Sequence, residues 1–379
     1  MLGVARDPNG PGTRTRACRR VLVTDTTTEE VVELLERLGP QFDLKPVLFP
    51  CLDHSVLTIS RYREQLEAWY HVMLPSHEVV ELLIDKIAFC RHANQAGLPI
   101  PETYFLLSRH DAERAATQLT FPCLIKPRIR SRRWYNHTHL KALKAHDAGE
   151  FLDLYDQYAR LADGLIAQQW VPGPDACLFS CNCYFDREGG PVASFVSRKI
   201  RQWPPETGET SLGQACRDPV VERETFRLFR SVGYRGLGYV ELKRNPLTGE
   251  YFILEANIGR PTARSALAEA SGVELLWTMY CDAAGLPRPP QRKQSETELK
   301  WISLRRDILS ALHYWRRGDL SLRGWWQSWR GPKVYALLSR SDPAPFFADL
   351  IRALRLFARR EERRKRAREV RIRNPGRAS

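Results

Sequence analysis

Two glutamates and an asparagine lie within residues 239–258, a stretch with the pattern of two strands joined by a turn. The turn formers between the two apolar segments are Asn245, Pro246, Thr248 and Gly249. With the turn centred there, antiparallel pairing places Glu241 opposite Glu255, and Asn257 on the same face as Glu255. Directly opposed residues have Cβ atoms roughly 5 Å apart, so these carboxylates should repel each other.

The repulsion between the two carboxylates needs a compensating cation. Lys243 lies on the same strand as Glu241, but a hard divalent cation is the better candidate. Mg²⁺ binds carboxylate and amide oxygens and leaves room for phosphate oxygens. The alternative is a solvated hairpin face with ordinary surface charges. The same register pairs Leu242 with Leu254, and a shift of one residue would remove the argument for a metal site.

Chain length and net charge limit the number of domains and the kinds of binding partner. The chain has 379 residues, enough for two or three compact units, and a formal net charge of +14. The termini carry most of this charge: residues 1–20 have a net charge of +4 and residues 351–379 of +9. The body is therefore close to neutral. The net charge thus bears on the binding partners of the termini and says little about the active site.

Cysteine usage and hydropathy favour a cytoplasmic protein. The nine cysteines form no paired CxxC pattern with histidines, which argues against a zinc site and predicts reduced, buried thiols. No apolar run is long enough to span a bilayer, and no signal peptide is visible.

The N-terminal part is predicted to be a disordered segment followed by a small unit. Residues 1–17 are rich in Gly, Pro, Arg and Thr and are expected to be disordered. Residues 18–84 have the pattern of a short α/β unit, with strands alternating with helices. The predicted elements are a strand from Arg20, a helix over Thr28–Leu38, a strand over Lys45–Phe49 and a helix around Ser60–Tyr70.

Residues 85–290 are predicted to form the main domain. Asp85-Lys86 opens a helix that Gly97 ends. The strand Phe121-Pro-Cys-Leu-Ile-Lys-Pro ends on Lys126, and a second apolar strand from Leu165 is broken by Pro-Gly-Pro before Asp175. Later elements are a hairpin turning at 186–190, a helix over 219–232, the acidic hairpin and a helix over 260–285.

The C-terminal part is predicted to be helical and basic. Residues 291–345 form a tryptophan-rich helical extension, and residues 346–379 form a basic amphipathic tail. The tail places apolar residues on one helical stripe, namely Phe347, Leu350, Ile351, Leu354 and Phe357.

The order of these motifs resembles the ATP-grasp superfamily over roughly residues 85–285. The local spacing is similar to that of D-alanine–D-alanine ligase. The whole chain looks more like the carboxylate–amine ligase or D-aspartate-ligase-like branch, on the stretches Arg198–Gly208 and Asn257–Ser265. The resemblance implies an α/β (α+β) ATP-grasp fold with a short N-terminal pre-ATP-grasp unit, residues 18–84, and a helical C-terminal extension.

The resemblance also implies an ATP site. Its residues would be Lys86, Lys126, Gln168, Gln169, Trp170, Val171 and Asp175. The two lysines would bind phosphates. The main chain of Trp170 and Val171 would face the adenine edge, and Asp175 would bind the ribose hydroxyls. Gln168 stands where the family often has a glutamate facing the adenine amino group.

The metal and catalytic residues follow from the same resemblance. Glu241, Glu255 and Asn257 would hold Mg²⁺, with Mn²⁺ as an alternative, on the β- and γ-phosphates. Lys199 and Arg201, on one strand face, would hold γ-phosphate oxygens. A further arginine, Arg260, is the candidate for binding the substrate carboxylate and the later oxyanion. The alternative for Arg260 is a structural salt bridge.

Two departures from the family pattern stand out. The loop after the strand lysine is usually rich in Gly and Ser, but here it is arginine-rich from Arg128 to Arg133. Arginine side chains would replace backbone amides as phosphate donors, or the loop binds an anionic substrate or is a mobile surface loop. The N-terminal unit is also shorter than usual, which would mean a truncated or misassigned start.

The resemblance predicts an ATP-dependent ligase. Such an enzyme activates a carboxylate as an acyl phosphate and joins it to an amine, so its partners are small-molecule carboxylate and amine substrates. The alternative is a non-catalytic ATP-binding sensor or scaffold. The basic tail suits weak contact with an anionic membrane surface at the inner face, or packs on the tryptophan-rich segment. No nucleic-acid recognition module is present.

Overall fold

The computed structural model describes residues 1–138, 140–290, 292–295, 298–356 and 362. The chain divides into two compact units. One contains Met1–Val31 with the described residues from Leu337 onward, and the other contains Val32–Ala336. No helix in the described part is long and apolar enough to cross a membrane. All nine cysteines are free.

The smaller unit contains a parallel strand pair, β1 (Leu2–Ala5) and β2 (Arg20–Val23). The expected disorder of residues 1–17 is therefore wrong, because β2 satisfies the backbone of β1 and Asp342 accepts hydrogen bonds from Thr15 and Arg16. Residues 344–356 are helical. The predicted stripe is exposed at Phe347, Leu350, Ile351 and Leu354. Phe357 and the basic run after it, residue 362 excepted, lie outside the described residues.

Five helices precede the first strand of the larger unit's sheets. They are α1 (Glu30–Leu38), α2 (Asp53–Arg61), α3 (Arg63–Glu67), α4 (His77–Ile84) and α5 (Lys86–Gln95). The strand expected over Lys45–Phe49 is reduced to a single bridge between Val47 and His71, because Pro46 and Pro50 supply no N–H for a ladder. The helix expected around Ser60–Tyr70 begins earlier and breaks at Tyr62.

A four-stranded antiparallel sheet follows, with strand order β3-β6-β4-β5. Its elements are β3 (Thr103–Leu106), α6 (Arg109–Gln118), β4 (Cys123–Pro127), α7 (Arg132–His137), β5 (Leu143–Ala145), α8 (Ala148–Tyr158) and β6 (Leu165–Gln169). Its core includes the fully buried Ile125, Trp134 and Phe151. This core fixes β4 and therefore the position of Lys126 at its end.

The larger sheet has seven strands in the order β11-β10-β7-β8-β9-β12-β13. Its elements are β7 (Leu178–Phe185), β8 (Pro191–Trp203), β9 (Glu209–Ala215), α9 (Pro219–Ser231), β10 (Gly236–Arg244), β11 (Tyr251–Ile258), α10 (Ser265–Ala270), α11 (Leu275–Ala283), β12 (Lys300–Ile302), α12 (Leu304–Arg316), α13 (Leu322–Ser328) and β13 (Lys333–Tyr335). Tyr184, Phe195, Leu267 and Met279 belong to the apolar core between this sheet and its helices.

Two sequence expectations fail in this region. The helix expected over residues 260–285 is split into α10 and α11, because Gly272 between them has a φ of +86° that ends a helix. The tryptophan-rich segment is not a separate helical extension. Its strand β12 pairs with β9, so the larger sheet continues past the boundary expected at residue 290.

A buried ion pair fastens this C-terminal segment to the sheet. Arg201 on β8 donates from Nε to Asp307 Oδ1 over 2.9 Å and from Nη2 to Oδ2 over 2.8 Å. Asp307 on α12 is 0% exposed and Arg201 is 4% exposed. The Trp329 indole N–H also donates to Asp307, over 2.6 Å. The carboxylate is thus satisfied on both oxygens, as a buried charge requires.

We expect Asp307→Ala to lower the free energy of unfolding by about 3–5 kcal/mol, because it leaves the Arg201 guanidinium buried without a counter-ion. Urea denaturation followed by circular dichroism measures the loss. The matched control is Asp319→Ala, which removes a pair between Asp319 and Arg317 whose side chains are each 47% exposed and should cost at most about 1 kcal/mol. Equal effects of the two variants would refute the structural role given to Asp307.

Candidate active site

The register of the acidic hairpin places its carboxylates as the sequence predicted. Glu241 on β10 pairs directly with Glu255 on β11. A β-bulge follows immediately, so that Leu242 pairs with Ile253. The expected pairing of Leu242 with Leu254 is therefore wrong, because the bulge places an extra residue in β11. The irregularity lies beyond the acidic pair and leaves its two carboxylates opposed.

Four cationic side chains from other elements act on the Glu255 carboxylate. Burial alone would raise the pKa of Glu255, but Lys141, Lys86, Arg130 and Lys126 outweigh it and hold the pKa well below its usual range. The Glu255 carboxylate is therefore ionised at neutral pH. A cluster with more positive than negative charge suits a polyanion such as a polyphosphate.

The two lysines that the resemblance assigned to phosphate binding both belong to this cluster. Lys86 is the first residue of α5, and its capping residue Asp85 accepts hydrogen bonds from the backbone N–H groups of Ile87 and Ala88. Burial lowers the pKa of Lys86 to about 8, against the opposing effect of Glu255. Burial also lowers the pKa of Lys126.

The second carboxylate has its own cation. Lys199 on β8 is 5% exposed and donates from Nζ to Glu241 Oε2 over 3.0 Å. The predicted γ-phosphate ligand Lys199 thus contacts the predicted metal ligand Glu241. The third predicted metal ligand, Asn257, is buried and donates from Nδ2 to Glu255 Oε1 over 3.3 Å.

The donor set of the hairpin suits a hard divalent cation. It consists of two carboxylates and one amide oxygen, which are ligands that Mg²⁺ takes together with phosphate oxygens and water. Among the described residues no group of three or more His, Cys, Asp and Glu side chains could hold a metal ion. A metal at Glu241 and Glu255 would have room for phosphate oxygens of a nucleotide as further ligands.

Arg260 connects the hairpin to the N-terminal helices. Its guanidinium pairs with Asp53 on α2 and donates to Tyr239 Oη over 3.1 Å and to Asn257 Oδ1 over 2.6 Å. Burial would lower the pKa of Arg260, but Tyr239 and Asp53 raise it above its ordinary value. The salt bridge that the sequence left as an alternative is present, and it holds Arg260 beside the predicted metal ligand Asn257.

Arg201 does not face the acidic hairpin. Its guanidinium is engaged by Asp307 and by Ser328 Oγ, at 2.8 Å. The expectation that Arg201 holds γ-phosphate oxygens is therefore wrong. The β8 register shifts between Lys199 and Arg201, and this irregularity breaks the simple alternation that put both cations on one face.

The predicted nucleoside residues already have partners within the protein. The amide oxygen of Gln168 accepts from Lys126 Nζ over 2.6 Å, and its Nε2 donates to Thr103. Asp175 accepts hydrogen bonds from the backbone N–H and the amide of Gln202, and from the Tyr314 hydroxyl. These groups must exchange partners if Gln168 and Asp175 are to contact adenine and ribose.

At the C-terminal end of β6, the backbone of Gln169 and Trp170 is hydrogen-bonded to the residues that precede β3 and β4. The backbone N–H of Gln169 donates to Glu102 O over 2.9 Å, and that of Trp170 to Pro122 O over 3.3 Å. The Trp170 ring has the ammonium groups of Lys144 and Lys243 at 4.1 and 4.2 Å from its centroid. The Trp170 ring thus makes cation–π contacts with both lysines. The next residue, Val171, is buried.

A cleft lined by both sheets contains much of this cluster. Lys86, Gln168, Glu255, Asn257 and Arg130 line it, together with Asp53 and Tyr135. Sequence reasoning missed Lys141 and Asp53 as individual residues. Asp53 lies far from the hairpin along the chain, and Lys141 follows no recognisable motif. Arg130 had a signal, because the arginine-rich loop was expected to supply phosphate donors.

No known protein-family model matches the chain. It is 21% identical over 189 residues to D-alanine–D-alanine ligase of Pseudomonas putida strain GB-1, covering 46% of this chain and 54% of that protein. The enzyme of the same name from Pseudomonas fluorescens strain Pf0-1 is 23% identical over 183 residues, covering 46% and 53%. The chain thus spans about half the length of these curated relatives.

Solved structures give a broader likeness. The biotin carboxylase domain of 2-oxoglutarate carboxylase from Hydrogenobacter thermophilus, in complex with MgADP, ADP and bicarbonate, has a TM-score of 0.61 at 14% identity, covering 78% of this chain and 66% of that chain. N5-carboxyaminoimidazole ribonucleotide synthetase from Thermus thermophilus has a TM-score of 0.57 at 17% identity, covering 77% and 74%.

The four-stranded sheet, the seven-stranded sheet and these structural likenesses identify the fold of the chain, as the motifs predicted. Its fold is the α/β ATP-grasp fold. The chain resembles D-alanine–D-alanine ligases in sequence, and biotin carboxylase and N5-carboxyaminoimidazole ribonucleotide synthetase in structure.

We expect the affinity for ADP to fall between pH 7 and pH 9. Lys86, with a pKa of about 8, carries its charge below pH 8 and loses it as the pH rises, so attraction for phosphate is full at pH 7 and weaker at pH 9. Isothermal titration calorimetry should show roughly tenfold weaker binding at pH 9. The control Lys86→Arg stays charged and should flatten the profile. A wild-type profile as flat as that of the variant would contradict this role of Lys86.

Proposed function

We propose that this protein is an ATP-dependent ligase that activates a carboxylate as an acyl phosphate and joins it to an amine, releasing ADP and phosphate. The observation that carries the proposal is the opposed carboxylate pair Glu241 and Glu255, with four cations acting on Glu255 and a fifth, Lys199, on Glu241. This arrangement suits a metal-bound polyphosphate better than it suits a solvated surface.

The chemistry explains why such a site is needed. A carboxylate is a poor electrophile because its leaving group would be oxide. Attack of a carboxylate oxygen on the γ-phosphorus breaks the bond between that phosphorus and the bridging oxygen, and ADP leaves. The amine nitrogen then attacks the acyl carbon, phosphate leaves, and the nitrogen gives up a proton. The protein positions the reactants and offsets charge without forming a covalent bond itself.

The cationic residues have distinct places in this proposal. Lys86 and Lys126 hold phosphate oxygens near Glu255, one from the start of a helix and one from the end of β4. Arg130 and Lys141 add donors from the segment between β4 and β5. They take the part that backbone amides of a glycine-rich loop play elsewhere.

The acidic hairpin holds the metal in this proposal. Glu241, Glu255 and Asn257 would bind Mg²⁺, which when present supplies positive charge to the β- and γ-phosphate oxygens. Lys199 lies 3.0 Å from Glu241 and keeps that carboxylate in place. The neighbouring structure in complex with MgADP supports a Mg²⁺-bound nucleotide in this fold.

Arg260 is proposed to receive the substrate carboxylate. It lies beside Asn257 and Tyr239, at the end of β11 that follows the metal ligands. Its side chain is paired with Asp53 and 15% exposed. A carboxylate entering there would compete with Asp53 for the guanidinium, and the same guanidinium would then stabilise the tetrahedral oxyanion.

The test is phosphate release from MgATP against a panel of amino acids and small carboxylates. We expect one or more pairs to stimulate release of ADP and phosphate. Glu255→Gln should slow release about a hundredfold, because several kcal/mol of charge stabilisation is lost with the metal ligand. The matched control is Glu250→Gln on the same hairpin, where the side chain is exposed and turnover should be unchanged.

Two outcomes would overturn the proposal. Formation of AMP and pyrophosphate would contradict an acyl-phosphate route. Nucleotide binding without turnover on any pair, including polymer-linked and lipid-linked acceptors, would favour a non-catalytic nucleotide sensor.

A further inference from the structure

Helix α12 has its polar residues inside and its apolar residues outside. The side chains that face the sheet are Asp307, Ser310 and Ala311, each at most 2% exposed. An exposed face of the same helix carries Ile308, Leu312 and Trp315 at positions i, i+4 and i+7, which are 47%, 39% and 49% exposed. A helix of a globular protein normally buries such a stripe.

The inversion has a physical cause. Asp307 is held inside by Arg201, and Ser310 Oγ donates to Gln202 O over 2.8 Å. These polar contacts fix the rotation of α12 about its axis. The stripe therefore cannot turn inward without breaking a buried ion pair.

Helix α13 enlarges the exposed apolar surface. Leu322 is 62% exposed and Trp326 is 65% exposed. Together with the stripe of α12 they form what we call the α12–α13 apolar face, defined by Ile308, Leu312, Trp315, Leu322 and Trp326. Several large apolar side chains exposed on two consecutive helices mark an interaction surface.

The charges on the two helices are mostly positive, although Glu209 and Glu206 of a neighbouring segment pair with Arg306 and Arg317. Exposed arginines flank the α12–α13 apolar face at Arg316 and Arg323. Between residues 304 and 330 the sequence holds two acidic residues, Asp307 and Asp319. Asp307 is buried, and Asp319 pairs with Arg317 over 2.9 Å. An apolar face that carries Trp, Leu and Ile and is flanked by arginines is complementary to lipid with an anionic headgroup.

We propose that the α12–α13 apolar face docks on an anionic lipid bilayer. Ile308, Leu312 and the two tryptophans enter the boundary between headgroups and acyl chains, and the flanking arginines contact lipid phosphates. Tryptophan suits this boundary, because its ring is apolar and its N–H stays hydrogen-bonded. The docking is independent of the ligase reaction and stands or falls separately from it.

The test is co-sedimentation of the full chain with vesicles of phosphatidylcholine alone, or mixed with phosphatidylglycerol. We expect binding to the anionic vesicles that persists in part at high salt, because apolar insertion is not screened. The double variant Ile308→Glu/Leu312→Glu should bind at least about tenfold more weakly. The matched control is Leu247→Glu, at the tip of the β10–β11 turn, where the leucine is 84% exposed and binding should not change.

A second readout locates the insertion. Lipids brominated in the acyl chains should quench part of the tryptophan emission of the wild type, and Trp315→Phe/Trp326→Phe should lose that part. Equal vesicle binding of wild type and the double glutamate variant would overturn the proposal and assign binding to the basic C-terminal run. So would a wild type that does not bind.

Two further outcomes would also overturn it. A melting temperature of the glutamate variant well below that of the Leu247→Glu control would mean that another part of the chain covers this face. A wild-type dimer that the glutamate variant converts to monomer, seen by light scattering, would assign the face to self-association.

Discussion

The structure depends on two like charges that the register of one hairpin holds together. Glu241 and Glu255 are directly opposed on β10 and β11, where carboxylates destabilise the pairing unless cations offset them. The offsetting cations are Lys86 at the start of α5, three residues of the small-sheet segment from β4 to β5 (Lys126, Arg130 and Lys141), and Lys199 on β8 of the large sheet. Cations from both sheets are therefore brought to one place around this carboxylate pair.

A second buried pair holds the frame behind this site. Arg201 and Asp307 connect β8 to α12, and Asp307 also accepts from Ser211 and from indole N–H groups. The C-terminal segment therefore completes the large sheet through β12 and stabilises the strand that carries Lys199. The same pair fixes the outward direction of the apolar stripe of α12, so stability of the sheet and exposure of that stripe have one cause.

Sequence patterns predicted the features that depend on residues close together in the chain. Turn formers and alternation placed Glu241 opposite Glu255, and motif order identified the fold and located Lys86 and Lys126. Contacts between distant segments were out of reach: nothing near Arg201 in sequence indicates Asp307, and nothing in the hairpin indicates Asp53 or Lys141. Two local irregularities were also not predicted, namely the bulge after Glu241 and the left-handed Gly272 that splits the predicted helix. Predictions from alternation and periodicity assume regular strands and helices, so they cannot locate such positions.

The measurement that tests the central claim most directly is the metal dependence of ADP binding by isothermal titration calorimetry. The account predicts that Mg²⁺ tightens ADP binding to the wild type by roughly tenfold or more. It also predicts that Glu241→Gln and Glu255→Gln each abolish that gain, while binding of metal-free ADP is kept or improved as a negative charge is removed. ADP affinity that does not respond to Mg²⁺, or a gain that survives in both variants, would contradict the assignment of the acidic hairpin as the metal and phosphate site.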